Sequence, residues 1–341
     1  MQDFVHLHVH TYYSILDGQS SVQKLVDKAV ADGMKGMAIT DHGNMFGIKE
    51  FYNYCKKVNG KLKAEGKEPF KPIFGCEMYV ARRTKDDKEK EKGDMGGYHL
   101  IVLAKNYNGY KNLIKLVSRA WVDGYYMRPR TDRADLEKYH EDLIVCSACI
   151  AGEVPAKILK GDMEGAREAI EWYHRVFGDD YYLELQRHRV TNPHQRANRE
   201  TYPLQVRANK ALMELAEEYG IKTNDAHFVD EENAEDHDHL LCLSTGKDLD
   251  DPNRMLYSKQ EWFKTREEMN AVFSDVPEAL SNTLEILDKV ETYSIDHAPI
   301  MPFFPIPEEF GTEEDVRRKY SEKQLYDEFT TDENGENPLP P

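Results

Sequence analysis

Short apolar runs alternate with longer amphipathic stretches along most of the chain, and the two periodicities predict strands and helices in turn. From Phe4 to His10 the pattern repeats every second residue, with Val5, Leu7 and Val9 on one side and His6, His8 and His10 on the other, which predicts a first strand. Thr11 to Asp17 is a loop ending at the turn dipeptide Asp17-Gly18. A helix over Val22 to Asp32, capped by Ser20 or Ser21, places Leu25, Val26, Ala29 and Val30 together and stops at Gly33. Strand Gly36 to Thr40, a helix from about Ile48 to about Ala64, and strand Pro72 to Tyr79 follow. Arg82 to Gly97 mixes charges without apolar anchors and predicts a mobile surface loop. Strand Tyr98 to Ala104, helix Tyr110 to Ala120 and strand Leu143 to Ser147 resume the alternation. Helices from Pro155 and over Gly165 to Phe177 lead to strand Tyr181 to Leu185, and helix Leu204 to Tyr219 leads to strand Ile221 to Asn224. About seven strands separated by helices predict a barrel-like α/β domain of about 290 residues.

The texture changes beyond Asp296. Pro299, Pro302, Pro305 and Pro307 break any helix and surround Met301, Phe303 and Phe304, as in a linker that docks on a surface. The expected organisation is one domain over 1–295, a Pro-rich linker and the start of a following region over 296–329 with a helix over Thr312 to Phe329, and a disordered acidic tail over 330–341.

Composition narrows the class. At 341 residues, with 31% charged and 40% hydrophobic residues, the chain is globular. It holds no apolar run of about 18 residues and opens without a basic-then-apolar leader, which predicts a cytoplasmic protein with no membrane contact. The five cysteines show no paired framework and fit a reducing compartment; Cys146-x-x-Cys149 offers one candidate ligand, Cys149, with Cys146 turned to the core. A net charge of -17 argues against a dedicated nucleic-acid surface, although bound cations can supply positive charge locally.

The chemistry gathers where predicted strands end. His8, His10, Asp17, His42, Glu77, His99, Cys149, Asp225 and His227 each lie at or just past an apolar strand, as if aimed at a common centre. Glu77 stands within an apolar strand, which is costly unless the carboxylate is paired or ligating. Imidazole, carboxylate and a lone thiolate suit Zn²⁺, Mn²⁺ or iron better than Mg²⁺, and so many ligands imply two or three divalent ions. His6 is expected in a supporting or core role. His237 and His239 sit in a helix-like stretch, where i and i+2 do not face each other.

His8-Val-His10-Thr-x-Tyr-Ser-x-Leu-Asp17-Gly, Thr40-Asp41-His42-Gly43, Gly75-x-Glu77-x-Tyr79, Tyr98-His99-Leu-x-x-Leu-Ala-Lys-Asn106 and Asn224-Asp225-x-His227 resemble the successive motifs of the PHP (polymerase and histidinol phosphatase) domain. The resemblance runs in order over about residues 3 to 290 and is most specific to the form of the domain in the bacterial DNA polymerase III α-subunit family. It implies a distorted seven-stranded (β/α), TIM-like barrel with a C-terminal extension. It also implies up to three metal ions on the nine residues named above, with Glu77 bridging two of them.

The chemistry so implied is phosphoester hydrolysis, and in the polymerase setting 3′→5′ exonucleolytic removal of a misincorporated nucleotide, with Asp225, His10 and Glu77 central to catalysis. Arg128, Arg130, Arg187 and Arg189 are candidates to hold phosphate, because guanidinium binds it bidentately, and His188 is a weaker one. Implied partners are the 3′ end of a DNA primer strand, the remaining polymerase domains and other replisome subunits. No acidic cluster able to serve as a polymerising site follows Asp296, so polymerisation is expected outside this chain. Two alternatives remain: a metal-stabilised structural or docking module without hydrolysis, and a free-standing histidinol-phosphate phosphatase. The extension from Pro299 and the polymerase-like Leu240-Leu-Cys-Leu-Ser-Thr-Gly246-Lys247 speak against the second.

Overall fold

The computed structural model describes residues 1–189, 199–225, 234–254, 262–302 and 311–331, with isolated positions 305, 307, 309 and 335; the side chains of 225, 234–238 and 329 lie outside that description. The chain divides into two units, Met1–Ile295 and Asp296–Pro341.

The first unit is built on a curled seven-stranded sheet: β1 (Gly36–Ile39), β2 (Lys71–Val80), β3 (Tyr98–Ala104), β4 (Arg130–Thr131), β5 (Leu143–Cys146), β6 (Tyr181–Leu185) and β7 (Thr223–Asp225). The strands follow the order β1-β2-β3-β5-β6-β7, with β4 added on β2. β1, β5 and β6 are buried along their whole length, in keeping with their largely apolar sequences. Helices such as Val22–Ala31, with Ser21 as its cap, and Ile48–Ala64 turn apolar faces onto the sheet.

Two features depart from an evenly alternating parallel barrel. β3 runs antiparallel to both β2 and β5. The first predicted strand is also not one: Phe4 to His10 is wholly buried, but its backbone meets β1 and the residue after it through Ala38 N–H to His6 O (2.8 Å) and Thr40 N–H to Val9 O (2.8 Å). The acceptors are three residues apart and the donors two, so one extra residue interrupts the ladder as in a bulge. The Thr40 hydroxyl then accepts the Val9 N–H at 2.9 Å.

The expected mobile loop from Arg82 to Gly97 is instead anchored by its charges. Arg83 pairs with Asp94, Asp87 and Glu89, and Lys85 lies between Asp132 and Asp135. Beneath them Arg130 is fully buried and donates to the carbonyls of Gly124, Asp94, Lys85 and Asp87 at 2.8–3.0 Å. Arg130 is thus committed to the backbone of this loop and is withdrawn as a phosphate-binding candidate.

In the second unit the single helix expected over Thr312 to Phe329 is two, Glu313–Lys319 and Glu322–Thr330. Ser321 caps the second helix, offering the backbone an alternative to a continuous one. Most of the predicted tail lies outside the described residues. Among the described residues no helix is long and apolar enough to cross a membrane.

Replacing Arg130 by methionine keeps volume but strips four carbonyls, three of them in buried bonds, of their donor. Stability is expected to fall by about 3 kcal/mol in urea titration; a loss under about 1 kcal/mol would show the loop does not depend on this side chain.

Candidate metal centre

β2 carries Glu77 into the middle of four imidazoles. Its Oε2 lies 2.7 Å from His42 Nδ1, 3.0 Å from His10 Nε2 and 3.5 Å from His8 Nε2, while its Oε1 lies 2.7 Å from His99 Nδ1. The reversed direction of β3 explains His99. That histidine stands near the start of its strand, and antiparallel pairing with β2 places Tyr79 beside it, at the same end of the sheet as Glu77 and His42. Cys149 Sγ is 3.7 Å from His99 Nδ1, and Asp17 Oδ2 is 3.1 Å from His42 Nε2.

Hydrogen bonds behind the cluster decide which nitrogen faces inward. The Ser14 hydroxyl donates its proton to Asp41 (2.7 Å), so it accepts from His10 Nδ1 (2.8 Å) and leaves the His10 Nε2 lone pair toward Glu77. Glu184 accepts from His8 Nδ1 at 2.8 Å, is steadied by the Gln186 amide at 2.9 Å, and fixes His8 in the same tautomer. The inward Nε2 atoms of His8 and His10 are 3.1 Å apart.

These atoms fit divalent ions. Ligands about a tetrahedral centre at roughly 2.0–2.1 Å lie about 3.3 Å apart, and the triangle His8–His10–Glu77 has edges of 3.1, 3.0 and 3.5 Å. Glu77 Oε2 and His42 Nδ1 are buried and face each other at 2.7 Å, and neither makes a well-aligned hydrogen bond among the described residues. Their lone pairs converge on shared space, as a ligand set requires. Three overlapping groups can hold an ion: His8–His10–Glu77, His10–Asp17–His42 and His42–Glu77–His99.

The buried carboxylate also sets the protonation of its neighbours. Burial works against charge on His8, but Glu184 and Glu77 push it up to about 10. Burial likewise opposes charge on His42 and His99, and Glu77 raises them to about 10 and about 9, with help from Asp17 and Cys149 respectively. His10, buried and next to His42, is pushed down to about 4. Glu77, despite its burial, is held well below the usual carboxylate range by His42, His99 and His8.

Backbone strain marks the turns that deliver these groups. Leu16, Met127 and Ala148 have φ of 62°, 64° and 60°, and each directly precedes a site residue: Asp17, Arg128 and Cys149. A left-handed non-glycine residue costs roughly 1–2 kcal/mol, which the surrounding packing must offset.

Asp17, His42, His99 and Arg128 line a cleft of about 490 Å³, and the Arg128 guanidinium lies over the Tyr79 ring. The other arginines lie apart. Arg187 pairs with Asp275 at 2.5 Å and borders, with Arg189, a separate depression of about 560 Å³. His188 is buried against Gln205, and His6 bonds the Lys264 carbonyl and packs on Phe263, away from the ligand pair. Cys146 is in the core. Asp225 ends β7 beside Leu185 of β6, with its side chain undescribed, and His227 lies outside the described residues.

Sequence reasoning missed Ser14 and Glu184. Glu184 had the signal that singled out Glu77, a glutamate inside an apolar strand. Ser14 had none, because its role depends on Asp41 from another element.

An imidazole–carboxylate cluster at one end of an α/β sheet, its tautomers set from behind, defines a metal-dependent hydrolase type of domain. The chain belongs to the PHP domain family, whose model matches residues 6–188. It is similar to the DNA polymerase III subunit alpha of Borreliella burgdorferi, at 41% identity over 91% of this chain and 26% of that one. The subunits from Treponema pallidum (39%, covering 96% and 26%) and Thermus aquaticus (37%, covering 89% and 24%) are similar too. The chain spans about a quarter of the length of these relatives. The chain is also similar to two solved structures: an amidohydrolase from Chromobacterium violaceum (TM-score 0.37, 13% identity, 66% of this chain and 86% of that one), and a candidate metal-dependent phosphoesterase from Bifidobacterium adolescentis (TM-score 0.38, 12% identity, 80% and 96%).

Two outcomes follow from this geometry. In chelated protein His8, His42 and His99 titrate above the ordinary 6.5. Their stabilisation is therefore full below about pH 6.5 and lost as pH rises through about 9 to 10. Divalent ions displace these protons, so Zn²⁺ affinity measured by calorimetry should climb from pH 6 to 9 with proton release; pH-independent affinity would contradict the assignment. Glu184→Gln should weaken metal binding about 10–100-fold while leaving the fold intact by circular dichroism.

Proposed function

We propose that this chain is the N-terminal part of a bacterial replicative DNA polymerase α subunit, and that its metal centre hydrolyses phosphodiesters, removing nucleotides from the 3′ end of single-stranded DNA. One observation carries the reading: the cluster is closed at the back and open at the front. The side chains of His8, His10 and Glu77 are at most 1% exposed, whereas Asp17, His42 and His99 are 17–22% exposed and face the cleft. A purely structural ion is enclosed by its ligands, whereas a catalytic one keeps an open position.

His8, His10, Asp17, His42, Glu77, His99 and Cys149, with Asp225 and His227, would hold two or three divalent ions, Zn²⁺, Mn²⁺ or iron. Ions so held would supply Lewis acidity and a nucleophile at neutral pH. The protein's own contribution is positional. Glu184 and Ser14 hold His8 and His10 with Nε2 aimed at the centre, and Glu77 stays ionised between them. Arg128, at the cleft wall, would pair with the phosphate. The partners of this unit would be the remaining domains of the same subunit, other replisome subunits and the 3′ end of a primer strand, in the cytoplasm.

His10→Ala and Asp225→Ala are expected to abolish release of nucleotides from 3′-labelled single-stranded DNA by the metal-loaded protein. Full activity of both variants after metal stripping would overturn the proposal.

A further inference from the structure

The mouth of the metal cleft carries more exposed aromatic surface than metal binding requires. Trp121 and Tyr125 are 43% and 49% exposed, and their rings lie parallel within 18° at a centroid distance of 5.6 Å. Phe46 and Met127, each 59% exposed, stand in the same wall. Isolated apolar side chains on a surface are ordinary, but a contiguous group at the entrance of a site marks a binding face.

This wall is tied to the ligands. The Trp121 indole N–H donates to the carbonyl of Gly43 at 2.7 Å, and Gly43 directly follows His42. Gly43 has φ +62°, and a Cβ there would meet Pro129 at 2.7 Å and Tyr79 at 3.2 Å, so the segment from Trp121 to Pro129 is seated on the His42 turn with no room between. Met127, whose left-handed backbone is held by Tyr126 N–H to Arg128 O at 3.0 Å, turns that segment so that Arg128 also borders the cleft. Trp121 and Phe46 further form the shared edge of an apolar groove of about 380 Å³ with Met45, Ile114, Val117 and Val122.

Flat aromatic faces, two guanidinia (Arg82 and Arg128) and a metal-ligating cluster thus border one depression. We infer that Trp121 and Tyr125 form a stacking platform for a nucleobase of a single-stranded DNA end whose phosphate is held at the Glu77 cluster. The rings take the uncharged part of the ligand, which a chain of net charge -17 does not repel, while Arg82 and Arg128 meet the backbone. Every base has a π-face, so the platform selects for an unpaired end without selecting sequence. The inference rests on the phosphodiesterase reading above, because the phosphate fixes where the base falls.

The test uses the full chain with Mn²⁺, a thymidine decamer with phosphorothioate linkages, and an abasic phosphorothioate oligomer of equal length. The thymidine decamer is expected to quench Trp121 fluorescence, a signal absent in Trp121→Phe, and to bind about tenfold more tightly than the abasic oligomer. Trp121→Ala and Tyr125→Ala should each remove most of that difference, Tyr125→Ala at unchanged melting temperature and metal content, and Trp121→Phe should keep much of it. Equal affinity for both oligomers, or quenching by neither, overturns the platform, including the case in which the patch serves a protein partner. Tight binding without hydrolysis of an unmodified decamer would overturn the phosphodiesterase reading and leave the platform standing. Hydrolysis with equal affinity for both oligomers would do the reverse.

Discussion

The burial of one carboxylate, Glu77, among four imidazoles organises this end of the molecule. A charged group at 1% exposure is costly unless opposite charge and hydrogen-bonding groups surround it, and His8, His10, His42 and His99 come from three separate parts of the chain to do so. Protons or divalent cations can fill that role. Both demand the same convergence of lone pairs, so the fold around Glu77 is a fold around positive charge.

Sheet topology makes the convergence possible. Parallel strands β1, β2, β5 and β6 send their C-terminal ends to one side, and β3, reversed between β2 and β5, sends its N-terminal end there. His99 and Glu77 therefore meet although one begins a strand and the other lies far along its own. The bulged segment from Phe4 to His10 adds a second irregularity. Its interrupted ladder turns His6 toward Lys264 while His8 and His10 face Glu77, which strict alternation would not separate.

Behind the ligands stands a layer with no freedom of its own. Asp41 accepts from Ser14 and Thr11, Ser14 accepts from His10, Gln186 steadies Glu184, and Glu184 accepts from His8. Each bond removes a tautomer or rotamer that would otherwise have to be selected when an ion binds. Three left-handed residues, Leu16, Met127 and Ala148, show where the backbone itself is strained to present Asp17, Arg128 and Cys149.

The amino-acid sequence by itself determined the alternation of buried strands and amphipathic helices, since these follow from local periodicity, and the apolar context that makes Glu77 conspicuous. It also determined the ligand types, through motifs each contained within a few residues. Tertiary structure decided the rest. Arg130 looked like a candidate to hold phosphate until three carbonyls from a distant loop closed on it, and the charged segment Arg82 to Gly97 looked unanchored because partners such as Asp132, Asp135 and Arg130 come later in the chain. The direction of β3, the roles of Ser14 and Glu184, and the docking of Trp121 on Gly43 are likewise long-range. Each is fixed by hydrogen bonds and packing between elements that local periodicity treats separately, so only the folded chain expresses them.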